Sequence, residues 1–86
     1  METKIAMISI IIEEKASVEK MNAILHEYAD YIIGRMGIPY REAEICLISV
    51  AVDAPLDAIN ALSGKLGRLP GVSTKTAYSN VKGRRG

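Results

Sequence analysis

IAMISIII at residues 5–12 and ICLISVAV at residues 45–52 decide the fold, because each is an apolar run interrupted by a single serine. Successive side chains of a β-strand point to opposite faces of the sheet, so a strand with one wet face alternates apolar and polar residues. Both parities of the first run are apolar instead, with Ile8, Ile10 and Ile12 on one face and Ile5, Met7 and Ile11 on the other. The runs therefore predict strands that are covered on both faces.

The length of the chain limits what can cover these strands. We expect its 86 residues to form a single domain over residues 1–86, with flexible ends at residues 1–3 and 80–86. A core of this size stabilises a fold only modestly, so burial against another subunit would add to its stability. We therefore expect a homo-oligomer, either a dimer or a tetramer.

The charge balance excludes a strong electrostatic field over the whole domain. Eleven Lys and Arg residues face ten Asp and Glu residues, which gives a net charge of +1. Such a balance does not draw nucleic acid or an anionic membrane to the protein, so we expect neither partner. The exception is the basic segment 82–86, KGRRG, and DNA binding through this tail remains one alternative.

One cysteine and a short apolar start indicate the compartment. Cys46 stands alone, which excludes an internal disulfide and fits a reducing cytoplasm. The first run has about 8 residues, far below the ~20 that span a bilayer. It lacks the flanking features of a signal peptide, and Glu13 and Glu14 follow it directly. We expect a cytoplasmic protein without a membrane helix.

A helix and a short strand follow the first run. Ser17 is a good N-cap, and apolar residues recur from Val18 to Ile32 at three- and four-residue steps, so a helix is predicted to begin at Ser17 and end at Gly34. Residues 35–40 contain glycine and proline, which predicts a short edge strand.

The second half of the chain repeats this order. Residues 41–44 form a turn into the second apolar run, and a second helix opens near Pro55. Its apolar stripe is Leu56, Ile59, Leu62 and Leu66. A turn at residues 69–71 then leads to a polar last strand at residues 72–78.

The resulting order, βαββαβ, predicts an α+β fold of the ferredoxin-like type. In this open-faced sandwich a four-stranded antiparallel sheet carries both helices on one face, and the first and third strands are central. The two apolar runs suit these central positions, and the strands rich in Pro, Ser and Thr suit the edges. The uncovered face would then carry an apolar patch, which predicts an oligomer interface at Ile5, Met7, Ile11, Ile45 and Leu47.

The chain shows no set of catalytic or metal-ligating residues. Metal binding needs convergent ligands, but His26 is the only histidine and lies on a different element from Cys46. His26 is expected to be a solvated helix residue, and Cys46 a buried structural thiol on the helix-covered face. We therefore expect no catalytic residues, no metal, no cofactor and no enzymatic activity.

The segment GRMGIP at residues 34–39 is the best candidate contact site. Its glycines widen the accessible backbone conformations, Pro39 fixes the exit, and Arg35 offers a forked donor for a carboxylate or phosphate. A plain helix stop followed by an edge strand is the alternative. On the first interpretation Gly34, Arg35, Met36, Gly37, Ile38 and Pro39 contact a small ligand or another subunit.

Two longer stretches, GRMGIPYREAEICLISVAVDAP at residues 34–55 and ALSGKLGRLPGVSTKTAYS at residues 61–79, resemble the family of iron-only hydrogenase system regulators. The resemblance covers residues 3–79. These regulators resemble ACT-like domains and the ligand-binding half of nickel-responsive repressors, which assemble through their sheets. The resemblance of this chain to the family implies a non-enzymatic cytoplasmic regulator linked to maturation or expression of an iron-only hydrogenase.

The binding sites of these wider groups do not carry over residue by residue. The nickel repressors use several histidines and a cysteine, whereas this chain has only His26 and Cys46. ACT domains commonly bind amino acids beside a glycine in the first strand-to-helix turn, and residues 13–17 contain no glycine.

The preferred function is therefore a homo-oligomeric regulator that binds a small ligand or a hydrogenase-maturation partner at its interface. The alternatives are a small-molecule enzyme on a ferredoxin-like scaffold and an amino-acid-binding ACT regulatory subunit.

Overall fold

The computed structural model describes residues 2–85 and contains four strands, two α-helices and one short 3-10 helix. In chain order they are β1 (Lys4–Ile12), α1 (Ser17–Glu27), the 3-10 helix (Ala29–Tyr31), β2 (Ile32–Tyr40), β3 (Ile45–Ala54), α2 (Leu56–Gly67) and β4 (Val72–Lys82). The strands form one antiparallel sheet in the order β2-β3-β1-β4. The predicted ferredoxin-like α+β fold, with the two apolar runs at its centre, is confirmed.

One face of the central strands forms the core beneath the helices. β1 and β3 pair from Lys4 opposite Ala54 to Ile12 opposite Cys46, which places the even-numbered residues of both strands on the same face. Residues of this parity from Ala6 to Ile12 and from Ile48 to Ala54 are almost fully buried, including Ile8 and Val50 at 0% exposure. The helices cover them with Met21, Leu25, Ile59, Leu62 and Leu66. Burial of each such side chain stabilises the fold by about 1.5–3 kcal/mol.

The first helix is shorter than the apolar spacing predicted. It ends at Glu27, and β2 begins at Ile32, so Gly34 lies inside a strand and does not stop the helix. The pairing of β2 with β3 is irregular between Ile32 and Gly34 and then runs regularly to Tyr40. Pairing with β3 provides hydrogen-bond partners for the backbone N–H and C=O groups of this segment. The free energy gained from this pairing outweighs the helical preference of the local sequence.

In the second helix, Leu56 of the predicted stripe is 42% exposed at the first turn.

Ser17 has a different role from the predicted N-cap. Ala16 occupies the cap position, and Ser17 is the first helical residue. The Ser17 hydroxyl is buried and donates to the carbonyl of Pro70 at 2.6 Å. Next to this contact Gly71 has a φ of +69°, and a Cβ there would lie 2.6 Å from the Cβ of Glu14. The turn before β4 therefore packs directly against the turn between β1 and α1.

Two segments near the ends of the chain, around Thr3 and residues 82–84, lie against each other, and flexibility at residues 1–3 and 80–86 remains a prediction. β4 continues through Lys82, and Thr3 is only 4% exposed. The Gly83 amide donates to the carbonyl of Thr3 at 2.9 Å, and the Arg84 amide donates to Asp53 Oδ2 at 2.8 Å. A Cβ at Gly83 would overlap the side chains of Thr3 and Asp53. The expectation for residues 1 and 86 lies outside the described residues.

The contact between Thr3, Asp53 and residues 83–84 also lowers the pKa of the buried Asp53 carboxyl group. The Arg84 amide is the main cause of a lowered pKa for Asp53, followed by the nearby Thr3 hydroxyl, and both outweigh the opposing effect of burial. The Thr3 hydroxyl and the second Asp53 oxygen are buried side by side without a well-aligned hydrogen bond.

The described residues include no helix long and apolar enough to cross a membrane.

Candidate functional site

The face of the sheet opposite the helices is uncovered, and we call it the open face. Strand register places its residues in rows across the sheet, one of them Ile38–Leu47–Ile11 and another Gly34–Ala51–Met7. Large apolar side chains lie bare on this face, with exposures of 45% for Met7, 41% for Ile11, 62% for Met36, 51% for Ile38 and 47% for Tyr40. An apolar surface of this kind is typical of a contact with another molecule.

The predicted oligomer-interface residues all have the parity of the open face. Met7 and Ile11 are exposed, whereas Ile5, Ile45 and Leu47 are half-buried by their neighbours in the sheet. The structure brings these five side chains onto one surface, as the parity of the two apolar runs predicted. Their role in association remains a prediction.

The GRMGIP segment contributes to more than one surface, and its contact with a ligand or another subunit remains a prediction. Residues Gly34 to Pro39 lie in the edge strand β2, where alternate side chains point to opposite sides of the sheet. Met36 and Ile38 belong to the open face, while Arg35 and Pro39 pair with Val50 and Cys46 of the helix-covered parity. The segment therefore contributes to three separate surfaces, namely the open face, a pocket at the end of the sheet and a groove beside α1.

A cavity that we call the sheet-end pocket lies between the β1–α1 turn and the β2–β3 hairpin. It has a volume of about 340 Å³. Its lining residues are Ile12, Lys15, Val18, Pro39, Tyr40, Arg41, Glu44, Ile45 and Cys46. The walls are mostly apolar, and the charged residues among them are Lys15, Arg41 and Glu44. An apolar cavity with a few charged groups is the usual form of a small-molecule site.

Glu44 adopts an unusual backbone conformation at this pocket. Its φ is +56°, and no other non-glycine residue within residues 2–85 has a positive φ. It closes the hairpin, where its amide donates to the carbonyl of Arg41 at 3.2 Å. The left-handed conformation costs an ordinary residue roughly 1 kcal/mol, and glycine or asparagine would adopt it more cheaply. Glu44 therefore keeps this conformation at the pocket at a cost that glycine would not incur.

Cys46 and His26 occupy different places. Cys46 has the parity of the core, but it is half-buried and lines the sheet-end pocket, so the expectation of a buried thiol is wrong in degree. The cause is its position at the end of the sheet, where the helices leave a gap. His26 is exposed in the last turn of α1, as expected, and it lines a separate groove.

Among the residues that the structure describes, no three His, Cys, Asp or Glu side chains are grouped so that they could hold a metal ion.

Sequence reasoning did not find the charged residues of the sheet-end pocket. The sequence pattern places Glu44 only in the turn at residues 41–44 and does not link it to Lys15 or Arg41. The available signal was the glutamate in the last position of a four-residue hairpin turn, where glycine or asparagine is usual. That Lys15 lines the same pocket depends on the packing of two segments distant in sequence.

Comparison with known proteins identifies the family of the chain. The TM1266-like family, described as "Iron-only hydrogenase system regulator, putative", matches residues 4–76, and the chain belongs to this family. The structure of the uncharacterized protein TM1266 from Thermotoga maritima is similar, with 32% identity and a TM-score of 0.86 over 90% of this chain and 98% of that chain. The resemblance noted in the sequence is thus confirmed.

More distant structures share the fold alone. A formyltetrahydrofolate deformylase from Pseudomonas putida is 13% identical, with a TM-score of 0.65 over 90% of this chain and 29% of that chain. An unknown protein from Galdieria sulphuraria is 14% identical, with a TM-score of 0.63 over 93% and 47% of the two chains. A comparison with curated proteins finds no match.

Proposed function

We propose that this protein is a non-enzymatic, cytoplasmic regulator in an iron-only hydrogenase system, and that it acts as a homo-oligomer with a small ligand bound beside the subunit contact. The family description supports the regulatory role. The observation that carries the proposal is the bare apolar open face, on which Met7, Met36 and Ile38 are each 45% exposed or more.

A second copy of the chain is the occupant that best fits the open face. The two longer dimensions of the molecule, 41 and 19 Å, give this face an area on the order of 800 Å², which is the area each partner buries in an interface of standard size. Strand register places two charged residues at paired positions of this parity, namely Lys75 next to Ser9 and Asp53 next to Ile5, and Gly83 and Arg84 cover Asp53. An apolar surface with so few exposed charges complements another copy of itself, whereas a partner chosen by charge would find little to bind.

The sheet-end pocket is the proposed ligand site because it adjoins that contact. Tyr40 and Ile45 line the pocket and are paired at the end of the open face. A ligand in the pocket would therefore touch residues next to a second subunit. A ligand that binds the assembled and the dissociated protein with different affinities shifts the equilibrium between these two states. This is the thermodynamic requirement for a regulator.

A specific observation favours the narrower alternative of an amino-acid-binding regulatory subunit. The pocket offers two cations, Lys15 and Arg41, for a carboxylate, and the strained Glu44 for an ammonium group. Its apolar walls would receive the side chain of the amino acid. It lies beside the glycine-free β1–α1 turn, so side chains would recognise the ligand.

Light scattering after size-exclusion chromatography, together with native mass spectrometry, tests the assembly. We expect a dimer or tetramer at micromolar protein concentration. A strict monomer would refute the homo-oligomer. If instead the monomer formed a complex of defined stoichiometry with a hydrogenase-maturation protein, the open face would be assigned to that partner.

A glycine variant tests the pocket independently of assembly. Glu44→Gly relieves the left-handed strain, so we expect the variant to be more stable by roughly 1 kcal/mol in chemical denaturation. We also expect leucine to raise the melting temperature of the wild type but not of the variant. 4-Methylvalerate and isoamylamine, which each keep one charged group of leucine, should have smaller effects. Equal responses of both proteins to leucine would show that Glu44 does not bind it.

A further inference from the structure

A groove on the helix side of the molecule has the features of a second binding site. It lies between α1 and the edge strand β2, has a volume of about 300 Å³, and is lined by Asn22, Leu25, His26, Ala29, Ile32 and Arg35. Because Arg35 is paired with the core residue Val50, its side chain leaves the sheet on the side opposite the open face. The groove therefore remains accessible when the open face is covered, and it shares no lining residue with the sheet-end pocket.

Arg35 is held in place over this groove. Its Nη2 donates to Asn22 Oδ1 at 2.9 Å, which ties the edge strand to the middle of α1. This bond uses one of the five N–H groups of the guanidinium and the oxygen of the Asn22 amide. Within residues 2–85 the remaining guanidinium donors and the Asn22 NH₂ group have no side-chain hydrogen-bond partner, so they are available to a ligand. His26 lies one turn beyond Asn22 on the same helix face, which adds an imidazole beside them.

The guanidinium group of Arg35 is held in place, but no acidic side chain neutralises its positive charge within residues 2–85. No aspartate or glutamate lines the groove, and the ion pair found within residues 2–85 joins Lys65 to Glu27, away from Arg35. An aspartate at position 22 would hold the guanidinium in the same way and cancel its charge. Asparagine fixes the geometry and leaves the positive charge available, which suits an anionic ligand.

We propose that this groove binds a small organic anion. A carboxylate or phosphate group would accept hydrogen bonds from Arg35, Asn22 and His26, and a short apolar part would rest on Ala29 and Ile32. A carboxylate and a phosphate share the required chemistry of several oxygen acceptors that carry negative charge. This site goes beyond the proposed function and does not depend on the oligomeric state.

NMR titration of the full-length protein tests the site with two probes, inorganic phosphate and isobutyrate, each balanced with NaCl to constant ionic strength. In the wild type we expect saturable shifts of the Arg35 side-chain signal and of the amides of residues 22–35. The probe with the tighter saturation identifies whether phosphate or carboxylate is the preferred group. Absence of saturation with both probes would overturn the proposal.

Three variants with the same change in net charge separate binding from packing. Arg35→Gln and Asn22→Asp should each weaken binding about tenfold or more, the first by removing the donors and the second by pairing the charge within the protein. Arg68→Gln, at the C-cap of α2 and outside the groove, should bind like the wild type. Asn22→Asp should keep the contact with Arg35 and melt no lower than the wild type. If it bound the probes as well as the wild type does, Arg35 would serve only to tie β2 to α1.

Discussion

The two faces of the central strands have nearly the same apolar composition and opposite surroundings. On the helix-covered face Ile8 and Ile10 are 0% and 1% exposed, whereas their neighbours Met7 and Ile11 on the open face are 45% and 41% exposed. The difference arises from what packs on each side, since α1 and α2 both lie on one face. Hydrophobicity along a strand thus shows that both faces need cover, and it does not show that the chain supplies both covers.

The faces also differ in their polar residues. Every residue of β1 and β3 in the helix-side core cluster is apolar, whereas Ser9 and Ser49 are paired at the centre of the open face. A serine costs little when it is wet and can hydrogen-bond in a contact, whereas a buried hydroxyl without a partner is costly. The two serines therefore suit a face that is exposed to water until a partner binds to it.

The largest expected effect separates the faces by their contribution to the fold. Ile10→Ala leaves a cavity in the core, so we expect it to lower the free energy of unfolding by about 2–5 kcal/mol. Ile11→Ala removes the same atoms from the open face and should cost less than about 1 kcal/mol in a dissociated subunit. Urea denaturation at a concentration where light scattering reports the monomer would measure both. Equal losses would show that the open face is already covered within one chain.

The next effect concerns assembly. Met7→Lys and Leu47→Lys each place a charge in the proposed subunit contact, where it would be buried without a partner. We expect both variants to be monomeric or to melt at a lower temperature, as measured by light scattering and thermal unfolding. Asn60→Lys, on the exposed side of α2, provides a control with the same added charge. Unchanged oligomer size and melting for the first two variants would exclude this face as the interface.

The smallest effect lies at the one end of the open face that the chain closes itself. Asp53 has the parity of Ile5 and Leu47, but Gly83 and Arg84 cover it. Its lowered pKa means that the carboxylate stabilises the fold above the unfolded value of about 3.9, and that this contribution is lost as the pH falls through the folded pKa. Asp53→Asn should therefore be less stable than the wild type at neutral pH.

The pH dependence of stability distinguishes this account from a general packing defect. The gap between the wild type and Asp53→Asn should narrow as the pH falls from about 5 into the acid range, as followed by thermal unfolding. A gap that stays constant across this range would show that the charge of Asp53 makes no contribution.

Local patterns predicted most of the fold because they depend on side-chain parity and spacing within each element. The two apolar runs were identified as the central strands, and Ile59, Leu62 and Leu66 were identified as a buried helical stripe. The prediction was wrong at the end of α1, where pairing of β2 with β3 replaced a helix that the local spacing favoured. Strand pairing joins residues far apart in sequence, so no window of the sequence could reveal it.

The candidate sites were less predictable than the fold. Arg35 was identified as a forked donor for a carboxylate or phosphate, which remains a prediction, and its partner in the structure, Asn22, lies 13 residues away on α1. Lys15 and Glu44 line one pocket although nearly thirty residues separate them. Which side chains converge on a ligand depends on how the elements pack, and a one-dimensional pattern contains little of that information.

By itself the sequence determined the order of the elements, the central place of the two apolar runs and the presence of apolar residues on both of their faces. These properties follow from the two-residue period of a strand and from the burial that apolar residues require. The ferredoxin-like order also predicted that both helices cover one face, whereas only the tertiary structure decided that Gly83 and Arg84 close one end of the other face and that Glu44 lines a pocket. Those outcomes depend on contacts across the sheet and between distant turns, which exist only after the chain has folded.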